Sequence, residues 1–421
     1  KDPLPGMIRR TKAAIKPTAF ENGMILLPRS LHVSNPSIPR LYTQLKLHKP
    51  GRKVRPITPN INSPTEKLAK WLLRYFNSLP IKFETASIKN SIDFVREARE
   101  VTIENDELIV SFDAESLYTN IPMDETMICL RDLLTMNHVI EEEVNELVGL
   151  TELCMKESYF QCNGKYYRQK FGCSMGSALS PFLANLFMSH FETTLKNGGN
   201  FPRVWFRYVD DVFSIIKKHK LRQFLHRLNH TQYKTIKFTY EEEVNDQLNF
   251  LDVTVIRNNG KLEFDIYRKP TNTMRYITSD SYHSFEQKIA AFHSMIFRAL
   301  NIPLNEERLR REILKIKEIA SINGYTEQLI DDLVIAHKRK KELRNHTTLS
   351  LINENSMEEM GWTKFAYQAE LNKKLKLMKC VNNNYELDAL ESFYINKFKN
   401  ENLLNENNGP IANSIFEKFY D

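Results

Sequence analysis

No stretch of this sequence approaches the ~18 consecutive apolar residues of a membrane-spanning helix, so no transmembrane segment and no membrane partner are expected. Cysteine is scarce: Cys129, Cys154, Cys162, Cys173 and Cys380, with no two spaced as Cys-x-x-Cys. An odd count without that spacing argues against a disulfide framework and a thiolate zinc site, and predicts free thiols in a reducing compartment. The sequence does not begin with methionine and its first residues lack the apolar core of a signal peptide, as expected of an excerpt from a longer protein. Internal repeats and long low-complexity tracts are lacking too. What remains is a chain of 421 residues, 42% apolar, with 25 Phe and 17 Tyr, enough for two to three domains with a sizeable core.

The net charge of +7 is unevenly spread. Residues 1–90 carry 17 Lys/Arg against 4 Asp/Glu, whereas the rest carries 42 against 48. A basic first quarter on a near-neutral body suggests a surface for a polyanion. Within it, Leu41–Ile57 alternates apolar and polar residues on either side of Pro50-Gly51, as a β-hairpin does. Lys46, His48, Lys49, Arg52, Lys53 and Arg55 crowd the polar face of that hairpin and repel one another unless phosphates intervene.

Helix and strand signals follow in order. A short helix is expected around Arg9–Ile15. Another is expected with Ser63 as N-cap, Pro64 at its first position and Glu66 completing a capping box; its apolar face is Leu68, Trp71, Leu72, Tyr75 and Phe76. Ser91–Glu100, Asp124–Asn137 and Glu141–Ser158 read as helices. Glu107–Asp113 is a buried-type strand ending in a carboxylate. Tyr159–Phe171 reads as two strands around Asn163-Gly164. The small-residue loop Gly172–Ser180 opens into a helix over Pro181–Lys196. Lys217–Asn229 reads as a helix and Ile236–Glu242 as a strand. Leu248–Arg257 and Lys261–Lys269 form a hairpin across Asn258-Asn259-Gly260, and the pattern from Ser284 to about Asn345 is helical.

The chemistry concentrates in Trp205–Ile216, where two apolar, β-branched runs flank Asp210-Asp211 in a tight turn. Adjacent residues on an extended chain point to opposite faces, so the two carboxylates cannot both aim at one point. Asp113 lies 97 positions earlier, at the end of another strand. Two strands of a split β-α-β-β arrangement could bring Asp113 and Asp210 side by side. Carboxylates converging near a basic surface suit a pair of Mg²⁺ ions, which stabilise the attacking and leaving oxygens of a phosphoryl displacement.

Five ordered motifs make the sequence resemble the reverse transcriptases, and among them the Penelope-like retroelement enzymes. They are Lys46–Pro50 with Arg55–Ile57; Ser111–Pro122 around Asp113; Gly172–Glu192 with Met175-Gly176-Ser177-Ala178-Leu179-Ser180-Pro181; Tyr208-Val209-Asp210-Asp211; and Phe250-Leu251-Asp252 with Tyr267-Arg268-Lys269-Pro270-Thr271. The resemblance implies an α+β, right-hand polymerase fold with fingers, a palm with an antiparallel sheet and a helical thumb, plus a small C-terminal α-rich nuclease-like segment. The implied division is 1–40 arm, 41–105 fingers, 106–283 palm with primer grip, 284–350 thumb and 362–421 nuclease-like segment.

By that resemblance Asp113 and Asp210 hold the metal, with Ala114 contributing its backbone, and Asp211 is a more peripheral catalytic carboxylate. Lys53, Arg55, Tyr118, Met175 and Gly176 bind the nucleotide; Tyr118 excludes a ribose 2′-hydroxyl, and Gly176 lets the template or nascent pair approach. Lys46, Lys49, Tyr267, Arg268 and Lys269 hold template and primer, while Asp252 is structural. The implied cofactor is two Mg²⁺, with Mn²⁺ as an alternative. The implied partners are a template RNA, a DNA primer or target DNA and deoxynucleoside triphosphates, with a nuclear location; the oligomeric state is left open.

Leu387–Asn405 resembles the back half of a GIY-YIG endonuclease, with Glu391 and Asn405 at the matching positions. Its two front strands are not identifiable, so strand cleavage is not expected. Two rival readings stand beside DNA synthesis: a telomerase-like or RNA-synthesising enzyme, which Tyr118 opposes in the RNA case, and a catalytically silent RNA-binding scaffold.

Overall fold

The structure, a computed structural model, describes residues 2–15, 29–45 and 54–352. It divides into two compact units, residues 1–327 and 328–421. The first unit contains α1 (Leu4–Ala14), β1 (Tyr42–Leu45), β2 (Val54–Ile57), α2 (Glu66–Ser78), α3 (Ser91–Ala98), β3 (Glu107–Ala114) and the single turn α4 (Leu117–Asn120). After these come α5 (Met123–Met136), α6 (Glu141–Lys156), β4 (Tyr159–Cys162), β5 (Lys165–Arg168), α7 (Ser180–Asn197), β6 (Val204–Tyr208), β7 (Asp211–Lys217), α8 (Leu221–Asn229) and β8 (Phe238–Glu242). The meander β9 (Gln247–Phe250), β10 (Val253–Asn258) and β11 (Lys261–Ile266) leads to α9 (Phe285–Asn301) and α10 (Glu306–Ile322); α11 (Glu327–Ile352) belongs to the second unit but for its first residue.

The architecture is mixed α/β around an antiparallel sheet ordered β6-β7-β3-β8. Strand β3 at its centre lacks the simple inside/outside alternation of a half-buried strand, because each face meets a core. Val110, Phe112 and Ala114, with Val212 of β7, join a large cluster built on Leu72 and Phe76 of α2, Leu130 and Leu134 of α5, Leu147 of α6 and Phe187 and Phe191 of α7. Ile109 on the opposite face, with Phe213 and Ile215, joins Phe94 of α3 and Phe250, Val253, Val255 and Phe264 of the meander. Phe94 is the hinge pin of this second core, its ring 4.9 Å from that of Phe213 and 4.8 Å from that of Phe250.

Several elements differ from their sequence reading, each for a local reason. Helix α2 begins at Glu66: the Ser63 carbonyl accepts from Glu66 N–H at 3.1 Å, and the Glu66 carboxylate accepts from Asn62 N–H at 2.7 Å. Ser63 is therefore not the N-cap. The run Leu248–Arg257 is not one strand but two, because Leu251 takes a positive φ of 54° and reverses the chain, pairing Val253 with Phe250. Strand β7 runs on through Lys217, and the α-helix starts only at Leu221. The β1–β2 pairing, with Tyr42 opposite Ile57, is the hairpin expected around Pro50-Gly51.

A buried carboxylate ties down the start of β3. Glu107 is 2% exposed and meets Arg203 at 2.9 Å. Burial pushes its pKa up, but the Arg203 guanidinium and the Glu104 N–H overcome that and leave it below its ordinary 4.5. A lowered carboxylate pKa contributes stability above about pH 4.5 that disappears as pH falls through the folded value. Arg203→Met should move the acid-unfolding midpoint to higher pH, because burial then acts unopposed; an unchanged midpoint by circular dichroism would contradict this.

Candidate active site

The β6–β7 connection is a two-residue turn, Val209-Asp210, closed by pairing of Tyr208 with Asp211. Val209 sits at φ 57°, a left-handed conformation that a β-branched residue adopts only at a cost of about 1–3 kcal/mol. Such strain persists where surrounding structure enforces it. Asp210 is held from the next strand: its carbonyl accepts from Ala114 N–H at 2.8 Å. That contact is the backbone role the structure gives Ala114, whose side chain is buried in the helix-side core.

The register pairs Asp113 of β3 directly with Asp211 of β7. Residues opposite each other in a ladder share a face, so these two carboxylates stand together, with Asp210 in the adjoining turn. Asp211 is thus the residue opposite Asp113 in the ladder, and the bond from Ala114 N–H keeps Asp210, expected beside Asp113, next to the same end of β3. All-oxygen donors suit a hard cation such as Mg²⁺, which uses one or two carboxylates and completes its shell with water and phosphate oxygens. The donor set fits that use. It does not form a closed protein cage: among the described residues, no group of three or more His, Cys, Asp or Glu is arranged to hold a metal by itself.

A cleft of about 490 Å³ is linked to these carboxylates through Tyr118, which lines it and feels the charge of Asp210. Its lining includes Arg55, Tyr118, Met175 and Gly176, four of the five residues expected at the nucleotide. Ser180 and Pro181, at the N-terminal end of α7, complete one wall, and Ile61 lies at another. Tyr118 has its pKa raised by burial first and by the negative charge of Asp210 second, which places the phenol close to the carboxylate turn and keeps it protonated.

Glycine is required twice in this cleft. Gly176 has φ 131°, and a Cβ there would stand 2.5 Å from the Thr58 carbonyl oxygen and 2.8 Å from the Pro59 Cα. Within the chain, the close neighbour of Gly176 is the backbone of Thr58 and Pro59. Thr58 N–H donates to the Met175 carbonyl at 2.9 Å and Asn60 N–H to the Gly176 carbonyl at 3.2 Å, stitching the segment after β2 to the loop before α7. Gly172, which sequence reading did not single out, is equally constrained: a Cβ would lie 2.3 Å from the Tyr118 carbonyl oxygen. A Gly among small residues gives no sign of which backbone it will touch.

The remaining expected residues are not all brought here. Lys46, Lys49 and Lys53 lie outside the described residues, as do Glu391 and Asn405. Tyr267, Arg268 and Lys269 line a separate hollow of about 300 Å³ with Asp252, Asn272 and Arg298. Arg268 is engaged by Glu312 of α10 through a two-pronged ion pair, one arm at 2.7 Å. Asp252 accepts from Ser91 Oγ at 3.2 Å and pairs with Arg298 at 3.2 Å, a role in holding the fold together.

Comparison with known proteins gives two family matches and a set of similar structures. Residues 47–243 match the family described as Reverse transcriptase (RNA-dependent DNA polymerase), a stretch that contains all three aspartates and the whole cleft lining. Residues 275–334 match the family described as Animal helix-turn-helix domain. No curated protein matches the chain. Among solved structures, telomerase from Candida albicans in complex with a fragment of telomeric RNA is similar at TM-score 0.47 and 12% identity, over 83% of this chain and 62% of that one. Telomerase from Candida tropicalis gives 0.41 and 11%, over 67% and 52%. The RNA-dependent RNA polymerase of a human picorbirnavirus gives 0.42 and 12%, over 80% and 75%. This chain thus spans between half and two thirds of the telomerase chains, and likeness at that level leaves the reaction to be argued from the site.

Proposed function

We propose that the chain is an RNA-directed DNA polymerase of the Penelope-like type, extending a DNA primer on an RNA template. One juxtaposition carries the reading: Asp113 and Asp211 are paired across the ladder, and Asp210 in the adjoining turn acts on Tyr118, which lines a cleft with Arg55, Met175 and Gly176. Divalent cations held by Asp113 and Asp211, with Asp210 adjoining, would supply charge stabilisation to the attacking and leaving oxygens. Arg55 offers a planar fork to the triphosphate. Tyr118, kept protonated between burial and Asp210, closes the sugar side of the cleft against a 2′-hydroxyl. In this reading, residues 41–105 act as fingers, 106–283 as palm and 284–350 as thumb. Priming at a nick or end of nuclear target DNA is the corresponding biological setting.

The test is primer extension on an RNA template with deoxynucleotides and Mg²⁺, wild type beside Asp210→Ala. Extension by wild type and its loss in the variant support the reading, while folded, RNA-bound wild type that never extends would favour a silent scaffold. Tyr118→Ala should admit ribonucleotides at least ~10-fold better relative to deoxynucleotides, an effect of lost steric exclusion. Efficient ribonucleotide use by wild type would turn the assignment to RNA synthesis.

A further inference from the structure

Arg207 stands two residues before the strained turn and is fully buried at 1% exposure, an unusual place for a guanidinium. On β6 it points away from the carboxylate face, into the helix-side core. Its Nε donates to Glu192 Oε1 at 2.6 Å, and Nη2 reaches Glu192 Oε2 at 3.3 Å and Asn185 Oδ1 at 2.9 Å. Nη1 reaches the Val209 carbonyl at 3.5 Å. Glu192 is 2% exposed and also accepts from Trp205 Nε1 at 2.9 Å. The Arg207 backbone is held as well, its N–H donating to Ala86 at 2.9 Å and its carbonyl accepting from Ile88 at 2.8 Å.

Asn185 and Glu192 are seven residues apart on α7, two turns along one face. The same helix presents Ser180 and Pro181 to the cleft. One helix thus carries a cleft wall at its start and grips Arg207 further along. Arg207 in turn touches the carbonyl of the residue forced to φ 57°.

We infer that Arg207 is a positioning residue: anchored by Glu192 and Asn185, it holds the Val209-Asp210 turn so that Asp210 and Asp211 keep their place relative to Asp113 and to the nucleotide cleft. A buried ion pair is weak as a source of stability, because two desolvated charges offset much of their own attraction. Its value here is geometric. The five-donor fork is what the arrangement requires, and lysine, a point charge, cannot reach Glu192, Asn185 and the turn together. This inference rests on the polymerase reading for its functional meaning, but its geometry stands on the residues alone.

The test uses Arg207→Lys and Asn185→Ala in the full chain. Misplacing reacting groups by about an ångström costs on the order of 10²-fold. Arg207→Lys is therefore expected to lower kcat by about that factor, with the nucleotide KM within about threefold, and to raise the Mg²⁺ concentration for half-maximal extension severalfold. Asn185→Ala, which leaves the ion pair intact, should shift the same quantities in the same direction by less. A second readout needs no turnover: Mn²⁺ titration of the chain alone, followed by electron paramagnetic resonance, should show weaker binding in both variants. A merely structural role would lower the melting temperature and leave both metal midpoints where they are. Folded Arg207→Lys with unchanged midpoints overturns the inference; if that variant does not fold, unchanged midpoints in Asn185→Ala overturn it. Wild type that binds Mn²⁺ without extending a primer defeats the polymerase reading alone, and the Mn²⁺ shift still decides Arg207. Wild type that extends without measurable Mn²⁺ binding leaves the decision to the Mg²⁺ midpoint. Wild type that does neither overturns both.

Discussion

Asp113→Asn should reduce primer extension by about 10³-fold, equivalent to about 4 kcal/mol of lost transition-state stabilisation, while binding of template and primer stays within a few-fold of wild type. The residue lies on the central strand and directly faces Asp211, so the substitution removes one of the two opposed oxygen donors without a change of shape. Its effect on stability should have the opposite sign. Like charges directly across a ladder destabilise it by tenths of a kcal/mol to about 1 kcal/mol, so the variant in chelator should melt no lower than wild type and slightly higher if anything. Added Mg²⁺ should then raise the melting temperature of wild type and leave that of the variant unchanged. Asp211→Asn is the discriminating companion. The register predicts a loss as severe as at Asp113; a loss of less than about tenfold would mean that facing Asp113 is not enough to take part. Extension assays, filter binding and thermal melts with and without Mg²⁺ separate these outcomes.

Gly176→Ala should be the most damaging change in the cleft wall that removes no functional group. The added Cβ meets backbone atoms of Thr58 and Pro59 at 2.5 and 2.8 Å, neither of which can swing aside as a side chain would. The φ of 131° is in addition a region that residues with a Cβ rarely adopt. Together these should cost about 2–4 kcal/mol in urea unfolding. Because the bonds Thr58 to Met175 and Asn60 to Gly176 join two walls of the cleft, relief of the clash must part them. The nucleotide KM should accordingly rise by more than about tenfold. Gly164→Ala is the control. It has φ 74° and nothing within 4 Å of the new Cβ, so it should cost only the conformational penalty of about 1 kcal/mol and leave KM alone.

Much of the site was legible before the fold was known because its chemistry is carried by carboxylates at the ends of apolar runs. Such runs, short and rich in β-branched and aromatic residues, read as buried strands, and their ends are where a charge can emerge. Asn163-Gly164 and Asn258-Asn259-Gly260 likewise announced their reversals, which appear as β4–β5 and β10–β11. The failures have a common cause: they depend on partners distant in sequence. Leu251-Asp252 looks like strand interior, and only packing of β9 and β10 against Phe94 and Phe213 makes the chain turn there. The relation of Asp211 to Asp113 depends on a register that local alternation cannot supply across a turn. Arg207 and Glu192, 15 positions apart, read as an ordinary strand cation and helix anion until burial joins them. Gly176 likewise acquires its close backbone neighbour from 118 positions away.

Strand β3 is wrapped on both faces, one by each core, from Ile109 to Phe112. Its amides can therefore be released to solvent only when both cores give way, which makes this strand the expected last part of the unit to exchange deuterium. Asp113 sits on the next residue of that same strand. Heating should then destroy activity and tertiary structure at the same temperature, with no preceding range in which the molecule is folded but inert.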